Sequence, residues 1–279
     1  MINRKLSFSN VMLFFGLVFL YLPMFILVIY SFNASKLVTV WAGFSTKWYV
    51  ELFRDDQLID SVLTSLNIGV TAATAAVILG TMSAYLLNRF GHFRGRTLFS
   101  SMITAPLVMP DVIIGLAMLL MFVSMASTLG WPEDRGMLTI WIAHVTFCTA
   151  YTTVVISSRL REMDVSIEEA AMDLGASPVK TFFVVTLPTI SPSLISAWLL
   201  SFTLSLDDLV IASFVSGPGS TTLPMVVFSS VRLGVSPKVN ALATLIILCV
   251  SLAAFIAWWF ARRSDRAQRD AYRMLGRDQ

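Results

Sequence analysis

The chain has 279 residues, 56% of them hydrophobic and 13% charged, with a formal net charge of +3. Soluble domains carry roughly 25% charged residues, and a soluble fold could not hide this much apolar surface, so a polytopic membrane protein is expected. The small positive balance calls for no nucleic-acid partner, because the basic residues sit mostly between or after apolar stretches.

Segments long enough to cross a bilayer as helices run roughly over 11–31, 61–87, 98–123, 138–158, 191–215 and 241–261. They predict an all-α membrane protein with six transmembrane helices in a single transmembrane domain, 1–279. The first segment follows Arg4 and Lys5, as a signal peptide would, but its apolar stretch exceeds the roughly 7–15 residues of a signal core. An uncleaved helix is expected. The next connection, 32–60, contains Trp41, Phe44, Trp48 and Tyr49, aromatics suited to a membrane–water interface. Its Asn33-Ala34-Ser35 triplet carries no weight as a glycosylation signal.

Further along, Thr71-Ala72-Ala73-Thr74-Ala75-Ala76 in the second segment suits close helix packing. In the third, Pro106 and Pro110 precede Asp111, so a helix break with local capping is plausible there. The fourth contains His144, expected to be a hydrogen-bonded bundle histidine. Cys148 in the fourth and Cys249 in the sixth lack zinc or redox spacing and read as buried small side chains.

The polar connection 159–190 has more local structure. Ser166 can cap a helix, with Glu169 three residues on completing a capping box. Gly175 can end that helix in the left-handed conformation. Ser177-Pro178 restarts a helix with a serine cap and a proline in the first turn. Pro188 and Pro192 end or kink it before the fifth segment. Two short helices joined by a sharp turn are therefore expected outside the membrane. Beyond the fifth segment, 216–240 contains Gly217-Pro218-Gly219, Pro224 and Pro237, a loop with a short surface or re-entrant helix near 223–233. The arginines from Arg262 to Arg277 suit anchoring at anionic headgroups.

Orientation follows from lysine and arginine. The N-terminus, 88–97, 159–190 and the C-terminus hold fourteen of the twenty; 32–60, 124–137 and 216–240 hold six. Both termini and the 159–190 loop are therefore expected in the cytoplasm.

Asp111, Asp207 and Asp208 fall inside apolar segments. A central Asp costs about 2.5–3.5 kcal/mol on insertion scales, so each should face water or a partner. Asp207 and Asp208 point about 100° apart on a helix, so one can face a pathway while the other meets a neighbouring subunit or an exposed backbone amide. Carboxylates on a pathway would suit a cationic substrate, helped by the aromatic faces of Tyr151, Phe202 and Phe214. The alternative is structural, a carboxylate capping a broken helix or held by a neighbour. No catalytic constellation or metal-ligand set accompanies the two separated histidines. The P-loop pattern is absent, so the chain is expected to bind no cofactor and to hydrolyse no ATP by itself.

One pattern identifies the loop further. Glu169-Ala170-Ala171, three residues, Gly175, nine residues, then Val185-Thr186-Leu187-Pro188 resembles the EAA loop of ABC-importer permeases, with Val185 in place of the usual Ile. The resemblance extends over about 10–275. Tyr30-Ser31-Phe32-Asn33, Thr104-Ala105-Pro106-Leu107-Val108-Met109-Pro110-Asp111 and Phe202-Thr203-Leu204-Ser205-Leu206-Asp207-Asp208 look like the polyamine branch, putrescine importers most of all. The resemblance implies a type I ABC-importer permease fold in a bacterial inner membrane. It implies a similar second permease as heterodimer partner, two copies of a cytoplasmic ATPase carrying ATP and Mg, and a periplasmic polyamine-binding protein. Glu169, Ala170, Ala171 and Gly175 would dock on the ATPase, and Leu187-Pro188 would join the coupling helix to the fifth span. Other substrates remain in competition: spermidine, or less directly an amino-acid derivative, iron or a phosphonate. An ion-driven secondary transporter would leave the EAA pattern unexplained, and no internal repeat supports it.

Overall fold

The computed structural model describes residues 8–37, 40–233, 236–252, 255, 256 and 259. Arg4, Lys5 and the arginines from Arg262 onward lie outside them. The described residues are helical apart from loops and one isolated antiparallel bridge, Asn33 to Phe44. The chain divides into two compact units, one formed by residues up to Asp56 together with those from Ser229, the other by Gln57–Phe228.

In the first unit, helix α1 (Phe8–Ser31) buries only its last residue, Ser31. A helix apolar all round and buried almost nowhere is a helix whose solvent is lipid. The loop after it is organised by Asn33. Its Nδ2 donates to Val40 O at 2.7 Å, its Oδ1 accepts from Ala42 N at 2.9 Å, and its carbonyl accepts from Trp48 Nε1 at 2.6 Å. The side chain is buried and fully used, which leaves no role for the glycosylation triplet. Trp48 opens the short helix α2 (Lys47–Leu52) and is buried with Leu52.

The second unit is built around α6 (Met137–Glu162), whose apolar window is 61% buried. Against it pack α3 (Asp56–Arg89), α4 (Arg96–Thr104), α10 (Ser191–Asp207) and α11 (Val210–Val215), while α5 (Asp111–Leu129) packs on α11. One core cluster joins Ile68, Ala76, Ile114, Phe122, Ile140, Phe147, Ile211 and Val215. A second joins Ala84, Ile156, Leu160, Ile190 and Ala197. The small-residue run works as expected: Ala72, Ala73 and Ala76 are completely buried. One turn later a Cβ on Gly80 would collide with Thr152 Oγ1. That hydroxyl donates to Ala76 O at 2.9 Å, so the backbones of α3 and α6 approach through glycine and are tied by a hydrogen bond across the contact.

Two apolar segments are interrupted where hydropathy reads them as continuous. The expected span 98–123 is not one helix. It is α4, a 3₁₀ turn at Ala105–Leu107 and then α5, which runs on to Leu129. Pro106 and Pro110 cause this: each lacks an N–H, and Pro110 sits extended at φ −58°, ψ 138° as the N-cap of α5. The expected span 191–215 breaks after Asp207 and restarts at Val210. Among the described residues, four helices can cross a membrane by length and composition: α1, α3, α5 and α6. Pro178–Thr189 with Ser191–Asp207 would make a fifth, although the pair bends by 71°. Helix α12 (Leu223–Leu233) occupies the expected 223–233 position. Of the sixth expected span, 241–261, the described residues show the shorter apolar helix α13 (Pro237–Leu252), and most of the rest lies outside them. Cys249 on α13 is exposed, correcting the expectation that both cysteines are buried; Cys148 is.

Replacing Gly80 by Val should destabilise the protein by about 1–3 kcal/mol, the usual cost of overpacking a close contact. The measurement is the thermal unfolding midpoint in detergent. An unchanged midpoint would mean that α3 and α6 do not meet through Gly80.

Candidate functional site

The loop 159–190 forms two short helices, as its sequence suggests, but its first cap differs. Helix α7 (Val165–Asp173) is capped by Asp164, whose Oδ1 accepts from Ser166 N at 3.0 Å. Ser166 is thus inside the first turn, and Glu169 is too far along to close a capping box. The amide of Ser166 holds the Asp164 carboxyl below its ordinary value. The cap is therefore present above the ordinary Asp range and is lost as pH falls through the lowered value.

Gly175 follows as expected, at φ +89°, with its N–H on Met172 O and the next amide, Ala176 N, on Ala171 O. Few residues other than glycine tolerate that conformation. Helix α8 (Pro178–Thr181) then starts with Ser177 Oγ accepting from Lys180 N at 3.3 Å and with proline in its first turn. A π turn at Phe182–Thr186, the short α9 (Leu187–Thr189) and the hinge at Ile190 carry the chain into α10. Pro188 and Pro192 flank that hinge, so the expected kink is present.

The feature that sequence reasoning missed is Glu168. It is 5% exposed. Its Oε2 accepts from Arg89 Nε at 2.7 Å, and its Oε1 accepts from Thr186 Oγ1 at 2.7 Å. Arg89 lies in the last turn of α3 and Glu168 in the first turn of α7, so each charge also sits at the favourable end of its own helix. One carboxylate thereby joins three parts of the fold. The pairing spans 79 residues, and no local spacing announces it.

With Glu168 turned inward, the opposite face of the loop is presented outward. Glu169, Ala170 and Gly175 are exposed, as is Pro188, and Ala171 and Leu187 are half-buried. Around them stand Ile167 at 47%, Leu174 at 90% and Val179 at 67% exposure. A concentration of uncovered apolar side chains on a polar loop is what a protein-docking surface looks like.

The carboxylates expected within the membrane lie at the helix breaks. Asp207 is the last residue of α10 and is exposed. Asp208 is extended at φ −67°, ψ 120° and caps α11, accepting from Ile211 N at 3.2 Å and Ala212 N at 2.7 Å. Its Oδ2 also meets Nε2 of His144 at 3.1 Å, while Nδ1 of His144 meets Ser205 Oγ at 2.7 Å. The two ring nitrogens of His144 thus each have a partner, one on Asp208 and one on Ser205. His144 is 2% exposed, the bundle histidine that was expected.

Asp111 is exposed in the first turn of α5. It lies near enough to Asp207 and to Tyr151 to act on both electrostatically. Tyr151 is half-buried and meets Phe147 edge-on at 5.1 Å. Phe202 is stacked on Trp198 at 5.2 Å and packs against Gly69, and Phe214 packs against Gly115, so both are engaged with the bundle. Among the described residues no cluster of histidine, cysteine, aspartate or glutamate is arranged to hold a metal ion.

Glu168→Gln should leave the Arg89 guanidinium buried without its counter-charge, a loss of about 3–5 kcal/mol for a broken buried pair. Limited proteolysis should then cut within 159–190 faster than in the parent chain. Equal cleavage rates would show that the ion pair does not hold the loop.

Residues 76–270 match the family described as binding-protein-dependent transport system inner membrane component. The putrescine transport system permease protein PotI of Escherichia coli (strain K12) is 68% identical over 256 residues, covering 92% of this chain and 91% of that protein. The spermidine/putrescine transport system permease protein PotC of Haemophilus influenzae is 42% identical over 247 residues, covering 88% and 93%. In fold, the chain is similar to a subunit of a bacterial ABC transporter involved in the import of the acidic polysaccharide alginate. The TM-score is 0.71 at 18% identity, covering 89% of this chain and 93% of that one. It also resembles a chain of the MetNI methionine ABC transporter, with a TM-score of 0.58 at 17% identity over 71% and 92% of the two chains. These matches place the protein: it belongs to the binding-protein-dependent transport system inner membrane components.

Proposed function

We propose that this chain is a permease subunit of an ATP-driven importer for putrescine. The observation that carries the proposal is the 68% identity to the E. coli putrescine permease over 92% of the chain. In this reading six spans cross the bacterial inner membrane with both termini in the cytoplasm. The lysine and arginine distribution supports that orientation.

The chain pairs with a similar second permease. Two copies of an ATPase, holding ATP and Mg, sit against the cytoplasmic loop, and a periplasmic binding protein delivers substrate from outside. Glu169, Ala170, Ala171 and Gly175 meet the ATPase, and Leu187 and Pro188 pass its motion through the hinge at Ile190. The chain itself performs no ATP chemistry.

Putrescine carries two ammonium groups. Asp207 stands at the carbonyl end of α10, where a helix terminus is already negative, and Asp111 adds a second carboxylate nearby. Two sparse anionic positions suit a dication that must bind and then leave. Tyr151 offers a ring face beside them. Asp208 holds the break open rather than meeting substrate, and Phe202 and Phe214 shape the wall.

Two measurements test this. In liposomes containing both permeases and the ATPase, hydrolysis should rise only when the binding protein and putrescine are added together; a rise with spermidine alone would change the substrate. Asp207→Asn should slow putrescine uptake about tenfold, the scale of 1.4 kcal/mol, while assembly of the complex survives. Undiminished uptake would remove Asp207 from the pathway.

A further inference from the structure

A cavity of about 390 Å³ lies where the end of α3, the start of α4 and the end of α6 meet. Its polar wall consists of His92, Arg96, Thr97, Ser100, Ser101 and Arg161. No carboxylate lines it. Arg96 donates through Nη2 to Leu87 O at 2.8 Å, and Arg161 donates through Nε to Asn88 Oδ1 at 3.1 Å. Each guanidinium is therefore held in place by one bond with further N–H groups to spare. Neither has a carboxylate within 4.0 Å among the described residues.

This differs from the other basic residues nearby. Arg89 is committed to Glu168 at 2.7 Å, and Arg159 reaches Glu162 at 3.3 Å. Arg96 and Arg161 alone in this region are anchored by neutral groups and turned to one cavity, with three hydroxyls and an imidazole beside them. Two positioned guanidinium forks and several O–H donors match the oxygen acceptors of a phosphate. The apolar remainder of α4, with Leu98 at 66% and Met102 at 67% exposure, lies along the same helix.

We propose that this cavity binds an anionic phosphate group, as found on a phospholipid headgroup or on a soluble phosphate. On the orientation given above, the cavity opens at the cytoplasmic leaflet, where anionic headgroups meet basic pockets between helices. The bound phosphate fastens the turn between α3 and α4 to the end of α6, just ahead of the coupling loop.

The test uses the full transporter complex in nanodiscs of phosphatidylcholine, with or without phosphatidylglycerol, and reads lipid retained on the protein by native mass spectrometry. A parallel arm titrates inorganic phosphate against the phosphatidylcholine sample and reads its thermal stability. The parent chain should retain phosphatidylglycerol over phosphatidylcholine, and Arg96→Gln with Arg161→Gln should lower that preference about fivefold per arginine. Ser101→Phe, which fills the cavity and leaves both arginines, should lower it as well and guards against a loss caused by misfolding. Stabilisation by inorganic phosphate without lipid preference would assign the site to a soluble phosphate. Absence of both effects in the parent chain, or equal effects in all variants, would overturn the proposal. So would loss of ATPase assembly in the arginine variants with lipid retention unchanged, which would mark a protein-docking surface instead. Because the readout is binding, a wrong substrate assignment for the importer leaves the result intact.

Discussion

The position of the loop 159–190 depends on one buried ion pair. Arg89 and Glu168 meet at 2.7 Å with side chains only 12% and 6% exposed. A buried pair is weak evidence for net stability, because desolvation offsets most of the attraction. What it provides here is position. The carboxylate has two oxygens and uses one on α3 and the other on Thr186 in the π turn, so α7 cannot shift without disturbing both. Everything outward of it, the apolar residues around Leu174 and Val179 and the turn at Gly175, is presented in one arrangement as a result.

A second constraint acts deeper in the bundle. Breaking a helix inside a membrane exposes amides and carbonyls with no water to meet them. The break between α10 and α11 is made tolerable by Asp208, which takes two of those amides and is itself steadied by His144 and Ser205. The neighbouring Asp207 is then left free of structural duty at a helix terminus. Adjacent carboxylates thus differ in setting: Asp208 holds the amides at the break, and Asp207 ends α10 exposed.

Parts of this architecture are legible in the sequence because their causes are local. Gly175 and Ser177-Pro178 carry turn and cap chemistry that needs only a few neighbours, and both form as expected. The interruptions are less legible. Hydropathy averages over about 19 residues, so it runs through Pro106 and Pro110 and through Asp207-Asp208 as if each segment were one helix. The cap at Asp164 instead of Ser166 is a two-residue ambiguity between good capping residues. Glu168 was invisible for a different reason. Beside Glu169 it reads as one more acid in a first helical turn, and only the fold reveals that it faces inward to an arginine 79 positions away. The electrostatic influence of Asp111 on Asp207 and Tyr151 likewise comes from separate helices.

The contact between Gly80 and Thr152 has a consequence for how such chains can change over time. The glycine has no side chain to lose, and the threonine fills the space while binding Ala76 O. The two positions form one steric unit, in which a methyl gained on one helix must be surrendered by the other. Drift at either position alone is blocked, and passage to a new pairing runs through an intermediate with either a clash or a gap. The crossing of α3 and α6 can therefore change only by paired substitution at these two positions.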